Sequence, residues 1–124
     1  KTAYEIRLSL VGSEMCIRDR YVDGKRLSVR GRAKDAYFWE NAKLVLVASR
    51  HSDGSSDVQT FSPDGFPLEL IASPEGYGIS YIEPTMVGEP RIICTSKNIA
   101  DDWPDWRFEI VGPPYLLRKL SPSK

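Results

Sequence analysis

Apolar residues in this chain come in runs of four to six, bounded by turn signals such as Asp-Gly, Ser-Pro and Gly-Pro-Pro. Short runs of this kind are typical of β-strands. No window of eleven or more residues carries apolar positions at helical spacing, and no apolar run approaches the roughly 20 residues of a membrane-spanning helix. The pattern therefore predicts an all-β fold and no membrane span in this sequence.

Residues 44–71 form the clearest part of the pattern and predict three strands joined by two turns. Residues 44–49 are apolar at successive positions, which indicates an inner strand with both faces covered. A polar, glycine-containing loop over residues 51–57 separates this strand from two more, at 58–61 and 66–71. The last strand contains a proline, which cannot donate to a strand ladder, so it should lie at or near a sheet edge.

Two further strands are predicted before this stretch. Asp23-Gly24 is a tight-turn signal, and residues 26–30 alternate polar and apolar side chains as an exposed strand does. Residues 31–34 indicate a loop, and residues 36–39 indicate a second strand. Residues 40–43 then turn the chain back into the inner strand.

The same series of strands and loops recurs downstream, at an offset of between 43 and 49 residues. The matching segments are 37–40 with 79–83, 44–50 with 91–97, 51–57 with 99–105, and 66–71 with 115–120. Residues 106–110 add a strand whose aromatic residues and isoleucine share one face, with charges on the other. Periods of this size, made of four short strands, are typical of propeller blades.

The better-kept copy of this repeat carries four marked features. They are an apolar strand ending in Ser49, an Asp53-Gly54 pair, a further acid at Asp57, and an Asp64-Gly65 turn before the final strand. With these features, residues 45–71 resemble the repeat of TolB-type, WD40-like β-propellers. The second copy keeps the acids of its loop but lacks the Asp-Gly pairs.

The resemblance implies an all-β fold of antiparallel four-stranded β-meanders, amounting to about two blades of a β-propeller-like repeat. Residues 35–73 would be one blade, residues 74–124 a diverged blade, and residues 21–34 the last strand of a preceding blade. Because known propellers close with about four to eight blades, we expect residues 21–124 to be the C-terminal fragment of a longer propeller. The strand pattern leaves a small antiparallel β-sandwich, barrel or meander open as the alternative.

Residues 1–20 carry a different resemblance. They match, codon by codon outside a short variable index, the conceptual translation of a transposon-type sequencing-library adapter. We therefore expect this segment to be non-native and not part of the fold, with the natural sequence before Tyr21 missing. Localisation stays open for the same reason.

Charge and cysteine content add little to the prediction of an all-β fold. Without that segment, which holds four of the 17 basic and three of the 17 acidic residues, 13 basic and 14 acidic residues remain. The remainder is close to neutral and has no basic stripe, so nucleic-acid binding is not expected. Cys94 lies in an apolar run, which predicts a buried thiol and no disulfide.

One polar cluster is a candidate binding site. Its members lie in matching loops of the two copies: His51, Asp53, Asp57, Asp101, Asp102, Trp103 and Asp105. If the copies stack, these loops emerge on one side, where their oxygen atoms could bind a polar ligand or a hard cation. Turn geometry explains the same residues more simply, because Asp, Ser and Gly dominate hairpin loops. The stretch from Asp53 to Asp57 lacks the run of closely spaced carboxylates that a calcium loop requires, and we expect no metal and no cofactor.

The sequence does not indicate catalysis. His51 is the only histidine, which excludes a zinc site of several imidazoles, and no G-x-S-x-G elbow supplies a nucleophile. The sequence favours a non-catalytic binding or scaffold module that contacts a protein or another polymer through its loops. The alternative is the accessory propeller of a prolyl-oligopeptidase-like hydrolase whose catalytic domain is absent from this sequence.

Overall fold

Ten β-strands make up the part of the chain that the structure describes. This computed structural model describes residues 19–22, 25–98 and 104–123, and these ranges contain no α-helix. The strands are β1 (Asp19–Val22), β2 (Lys25–Ser28), β3 (Arg32–Trp39), β4 (Leu44–Arg50), β5 (Ser56–Phe61), β6 (Pro67–Ala72), β7 (Tyr77–Glu83), β8 (Arg91–Ser96), β9 (Asp105–Val111) and β10 (Leu116–Pro122). The predicted all-β class is confirmed.

Strands β3 to β10 form two sheets that each follow the chain from strand to strand. The first sheet has the order β3-β4-β5-β6 and the second the order β7-β8-β9-β10, with every pair antiparallel. β1 and β2 form a separate hairpin. The predicted four-stranded antiparallel meanders are confirmed. The barrel alternative is wrong, because in neither sheet does the first strand pair with the last.

β4 is one of the two inner strands of the first sheet. Its residues 44–49 are all buried, and β3 and β5 pair with its two edges. The prediction of a strand covered on both faces is confirmed, because an unbroken apolar run needs cover on each side. β6 lies at a sheet edge, as its proline predicts.

Two predicted loops are too long. The loop predicted over residues 31–34 is wrong, because β3 begins at Arg32 and pairs there with the end of β4. Lys34 is the extra residue of a β-bulge in β3, and a bulge hides the alternation that marks a strand. The loop predicted over residues 51–57 ends at Ser55, since the last two of its residues already pair with β4.

The hairpin before β3 falls partly on residues outside the description. β1 begins at Asp19, so it includes the last two residues of the predicted adapter-derived segment, and residues 1–18 are not described. Val22 pairs with Lys25 on either side of the predicted Asp23-Gly24 turn, whose own residues also lie outside the described ranges. The strand predicted over residues 26–30 is observed as β2.

An apolar core lies between the two sheets, and we call it the shared core. β3, β4 and β5 contact β7, and β6 contacts β10. Trp106, Phe108 and Ile110 pack in this core from one face of β9, as their alternation predicts. The predicted burial of Cys94 is also confirmed. The buried members are Leu44, Leu46, Ala48, Val58, Ile71, Ile79, Ile82, Ile92, Cys94 and Phe108.

Side chains of the first sheet accept hydrogen bonds from backbone N–H groups of the second-sheet segment. The pairs are Asp35 Oδ2 with Ile82 N at 2.9 Å, Ser56 Oγ with Ile79 N at 2.8 Å, and Glu69 Oε2 with Tyr115 N at 2.8 Å. Two of the donors lie in β7, an edge strand whose open side needs partners outside its own sheet. Because a buried N–H group without a partner is costly, these acceptors fix the second sheet on the first.

The two sheets pack through non-matching faces, an arrangement that we call head to tail. Three buried apolar positions recur at a constant spacing of 47 residues, namely Val45, Val47 and Phe61 in the first sheet and Ile92, Cys94 and Phe108 in the second. The second set packs in the shared core, whereas the first set packs on the opposite face of its sheet, with Val29. Matching positions therefore do not meet, and each set faces the part of the chain that precedes its sheet.

Candidate functional site at the loop ends

His51 and Asp57 form a pair that closes the first loop. His51 Nε2 lies 2.8 Å from Asp57 Oδ2, and the two side chains are 25% and 11% exposed. The His51 backbone N–H donates to the Ser55 carbonyl oxygen at 2.8 Å, so the loop is tied at both its ends. Asp57 Oδ1 is buried and has no hydrogen-bond partner in the described part of the chain.

The other side of the imidazole packs against backbone. A Cβ atom added at Gly31 would lie 2.6 Å from His51 Nδ1 and 2.8 Å from the Arg50 carbonyl oxygen. Gly31 also has φ of +78°, so glycine is required there on two counts. Both ring nitrogens of His51 thus face the protein. This geometry suits a residue that fixes the loop better than one that takes a proton from a substrate.

Asp53 shapes the tip of the same loop. Its Oδ1 accepts hydrogen bonds from Ser55 Oγ at 2.6 Å and from Ser55 N at 2.9 Å. These bonds, above all the one from the Ser55 hydroxyl, hold the pKa of the exposed Asp53 carboxyl below its ordinary value. Asp53 therefore has the turn-forming role that loop composition favours.

Asp105 begins β9 and ends a chain of hydroxyl groups in the second sheet. Thr95 Oγ1 donates to Asp105 Oδ1 at 2.8 Å, and Ser80 Oγ lies 2.7 Å from Thr95 Oγ1. Because the one hydroxyl proton of Thr95 goes to the carboxylate, Ser80 is the donor to Thr95. The other predicted members of the second loop lie outside the described residues: Asp101, Asp102 and Trp103.

A pocket of about 330 Å³, which we call the loop-end pocket, lies at this end of the two sheets. The first loop contributes Gly54, and the chain entering the second loop contributes Ser96 and Lys97. The structure therefore brings the first loop and the chain just before the second loop to one cavity. None of the predicted site residues that it describes lines the pocket, since their side chains bind the loops themselves.

Three basic side chains line the loop-end pocket, and none of them is among the site residues predicted from the sequence. Lys34 comes from the bulge in β3, Arg50 from the end of β4 and Lys97 from the residue after β8. The sequence held a signal for two of them, because each copy of the repeat has a serine and then a basic residue at the end of its second strand. It held none for Lys34, which lies in a segment that reads as a loop.

No acidic side chain among the described residues that line this pocket balances its positive charge. Partial burial, together with the charges of Arg50 and Arg32, lowers the pKa of Lys34. No acidic side chain lines the pocket, and Lys34, Arg50 and Lys97 form no ion pair with any residue that the structure describes.

Comparison with known proteins adds no assignment. No family model, no curated protein and no solved structure matches this chain. Over residues 19–22, 25–98 and 104–123, no three His, Cys, Asp or Glu side chains are grouped so that they could hold a metal ion. The same ranges contain no helix long and apolar enough to cross a membrane.

Proposed function

We propose that this chain is a non-catalytic binding module made of two successive β-propeller-type repeat units from a longer array. The observation that carries the proposal is the head-to-tail contact between the sheets. Val45, Val47 and Phe61 recur 47 residues later as apolar residues on the matching face, and each set faces the preceding part of the chain. The units would contact a protein or another polymer through their loops.

A head-to-tail contact favours stacked repeats over a symmetric sandwich. When two sheets are related by a two-fold axis, matching positions meet across the interface. When units are stacked, one face of each unit meets the opposite face of the next, as in repeat arrays and propeller rings. The second arrangement explains why Val45 and Ile92 lie in different cores.

The face of the first sheet that carries Val45, Val47 and Phe61 supports the same proposal. Val29 packs in the same buried cluster as Val45 and Phe61, but the edge strand β6 is open on this face. Leu70 pairs with Gln59 on this face and is 43% exposed. A preceding unit would cover this apolar surface, which is otherwise left in water.

Genomic sequence across the junction at Arg20 tests the proposal. We expect the natural coding sequence to continue upstream of Tyr21 with further four-stranded repeats. Each should carry apolar residues at the positions that match Val45, Val47 and Phe61, because those residues fill the contact between units. A start codon close to Tyr21, or an upstream sequence without these positions, contradicts the proposal.

A further inference from the structure

The loop-end pocket has the size of a small-molecule site. Its volume of about 330 Å³ lies at the lower end of the roughly 300 to 1,000 Å³ that such sites occupy. Both sheets form its walls, since Ser56 comes from β5 and Gly78, Ser80 and Thr95 come from β7 and β8. The shape of the pocket therefore depends on how the second sheet is fixed on the first.

Its charged groups come from three separate elements. Lys34 projects from a β-bulge, a feature that commonly redirects a side chain next to a functional site. Arg50 and Lys97 end matching strands of the two repeats, so the contact between the sheets brings two equivalent cations to one cavity. Three cations at one cavity, with no acidic side chain among its described lining residues, repel one another, and an anion between them relieves that repulsion.

Neutral groups of the pocket add a hydrogen-bond donor and open space. Ser56 is almost fully buried, and its Oγ accepts the Ile79 N–H at 2.8 Å, so its hydroxyl proton is free to point into the cavity. Gly78 lies beneath both Ser56 and Lys97. A Cβ atom added there would lie 3.9 Å from Lys97 Cε and 3.9 Å from Ser56 Oγ.

We propose that the loop-end pocket binds a small molecule through an oxyanion, a phosphate or a carboxylate, held by Lys34, Arg50 and Lys97. Ser56 donates a further hydrogen bond to the same group. Arg50 can contact two oxygen atoms at once through its planar guanidinium, whereas the two lysines act as point charges. This small molecule comes in addition to the protein or polymer that the proposed function assigns to the loops.

Titration of the full chain by ¹H–¹⁵N NMR tests the proposal. The probes are inorganic phosphate and citrate at constant ionic strength, with glucose as an uncharged probe. We expect saturable shifts of the Gly54, Gly78 and Lys97 amide signals with at least one anion, at a dissociation constant on the order of 1 mM or below. Saturation by phosphate alone assigns a phosphate ligand, and saturation by citrate alone assigns a carboxylate.

Matched variants separate a built site from general attraction to positive charge. Lys34→Gln with Arg50→Gln should weaken binding at least about tenfold, because each removes a charge-assisted hydrogen bond. Arg118→Gln with Lys119→Gln removes the same charge from β10, outside the pocket, and should leave binding unchanged. Gly78→Val tests the same site sterically and should abolish binding while the unfolding midpoint stays close to that of the parent.

Three results would overturn the proposal: no saturable shift with either anion, saturation by glucose, or equal weakening in the two double variants. None of these results bears on whether repeats lie upstream of Tyr21, so the proposed ligand can be wrong while the repeat proposal stands. Absence of repeats upstream of Tyr21 would in turn leave the titration result as it is.

Discussion

The two sheets differ in what they carry on their outer faces. The first sheet has apolar residues on both faces, one set in the shared core and the other around Val45, Val47 and Phe61. The second sheet has most of its buried apolar residues in the shared core, and Ile93 is the exception on its other face. One row across its other face alternates in charge from strand to strand: Glu83, Arg91, Glu109 and Arg118.

Ion pairs organise this charged face. Arg107 Nε lies 2.8 Å from Glu83 Oε1, and Arg118 pairs with Glu109. A further sheet packed here would bury these charged side chains, so the apolar packing seen between the two sheets is not set up to repeat on this face. A partner on this side would need complementary charge. On the first sheet, by contrast, apolar packing can continue.

The largest effect is expected from truncating Leu46. Its matched control is Ile93, which lies 47 residues later on the charged side of the second sheet. Both side chains are fully buried. Leu46→Ala should lower the free energy of unfolding by an amount near the top of the range of about 2–5 kcal/mol, because the shared core cannot close the cavity.

Ile93→Ala should cost less than Leu46→Ala, since its cross-strand neighbours Tyr81 and Arg107 are partly exposed and can move inward. Urea unfolding of both variants measures the difference. Equal losses would mean that the charged face is packed as tightly as the core, which would break the comparison.

The next effect concerns the hydrogen bond from Ile82 N to Asp35 Oδ2. Asp35→Ala leaves a buried N–H group of the second sheet without its acceptor and should destabilise the fold by about 1–3 kcal/mol. Asp35→Asn keeps one oxygen acceptor and should lose less. Chemical denaturation of the two variants measures both losses. If alanine and asparagine behave alike, this bond does not hold the sheets together.

Cys94 reports on the covered face of the second sheet. Burial raises the pKa of its thiol to about 12, against about 8.5 for a free cysteine. Above about pH 8.5 the unfolded chain releases a proton that the folded chain keeps, so stability is full below that pH and falls as pH rises. At one pH unit above about 8.5, the free energy of unfolding should be lower by about 1 kcal/mol.

Cys94→Ala should remove this part of the alkaline loss, and urea midpoints of parent and variant at a series of pH values measure it. An identical pH slope in the two proteins would show that Cys94 keeps its proton no better in the folded chain than in the unfolded one. The shared core would then not cover the thiol.

The smallest effect is expected on the charged face. Arg107→Ala removes the pair with Glu83, in which both side chains are about one-third exposed, so the loss should be below about 1 kcal/mol. Added salt should shrink this loss further, because it screens the pair. A loss as large as that of Leu46→Ala would show that this face stabilises the fold as strongly as the apolar one.

Most strand positions could be predicted because their signals are local. The apolar run of β4, the proline of β6 and the alternation in β9 each depend on a few neighbouring residues, and each prediction is confirmed. The start of β3 was wrong because the bulge at Lys34 breaks the alternation that sequence patterns rely on. The candidate site was predicted less accurately than the strands. The first loop was located, but its His51, Asp53 and Asp57 bind within their own loop or strand, and most of the second loop lies outside the described residues.

The sequence alone determined that this chain forms short strands and that their series recurs, since strand formation follows side-chain alternation and turn residues. Only the tertiary structure decided which faces meet. Val45 and Leu46 are neighbours in one apolar run, yet they lie in different cores because successive strand residues point to opposite faces. The contact between sheets, which no local pattern specifies, also brought Lys34, Arg50 and Lys97 to one pocket.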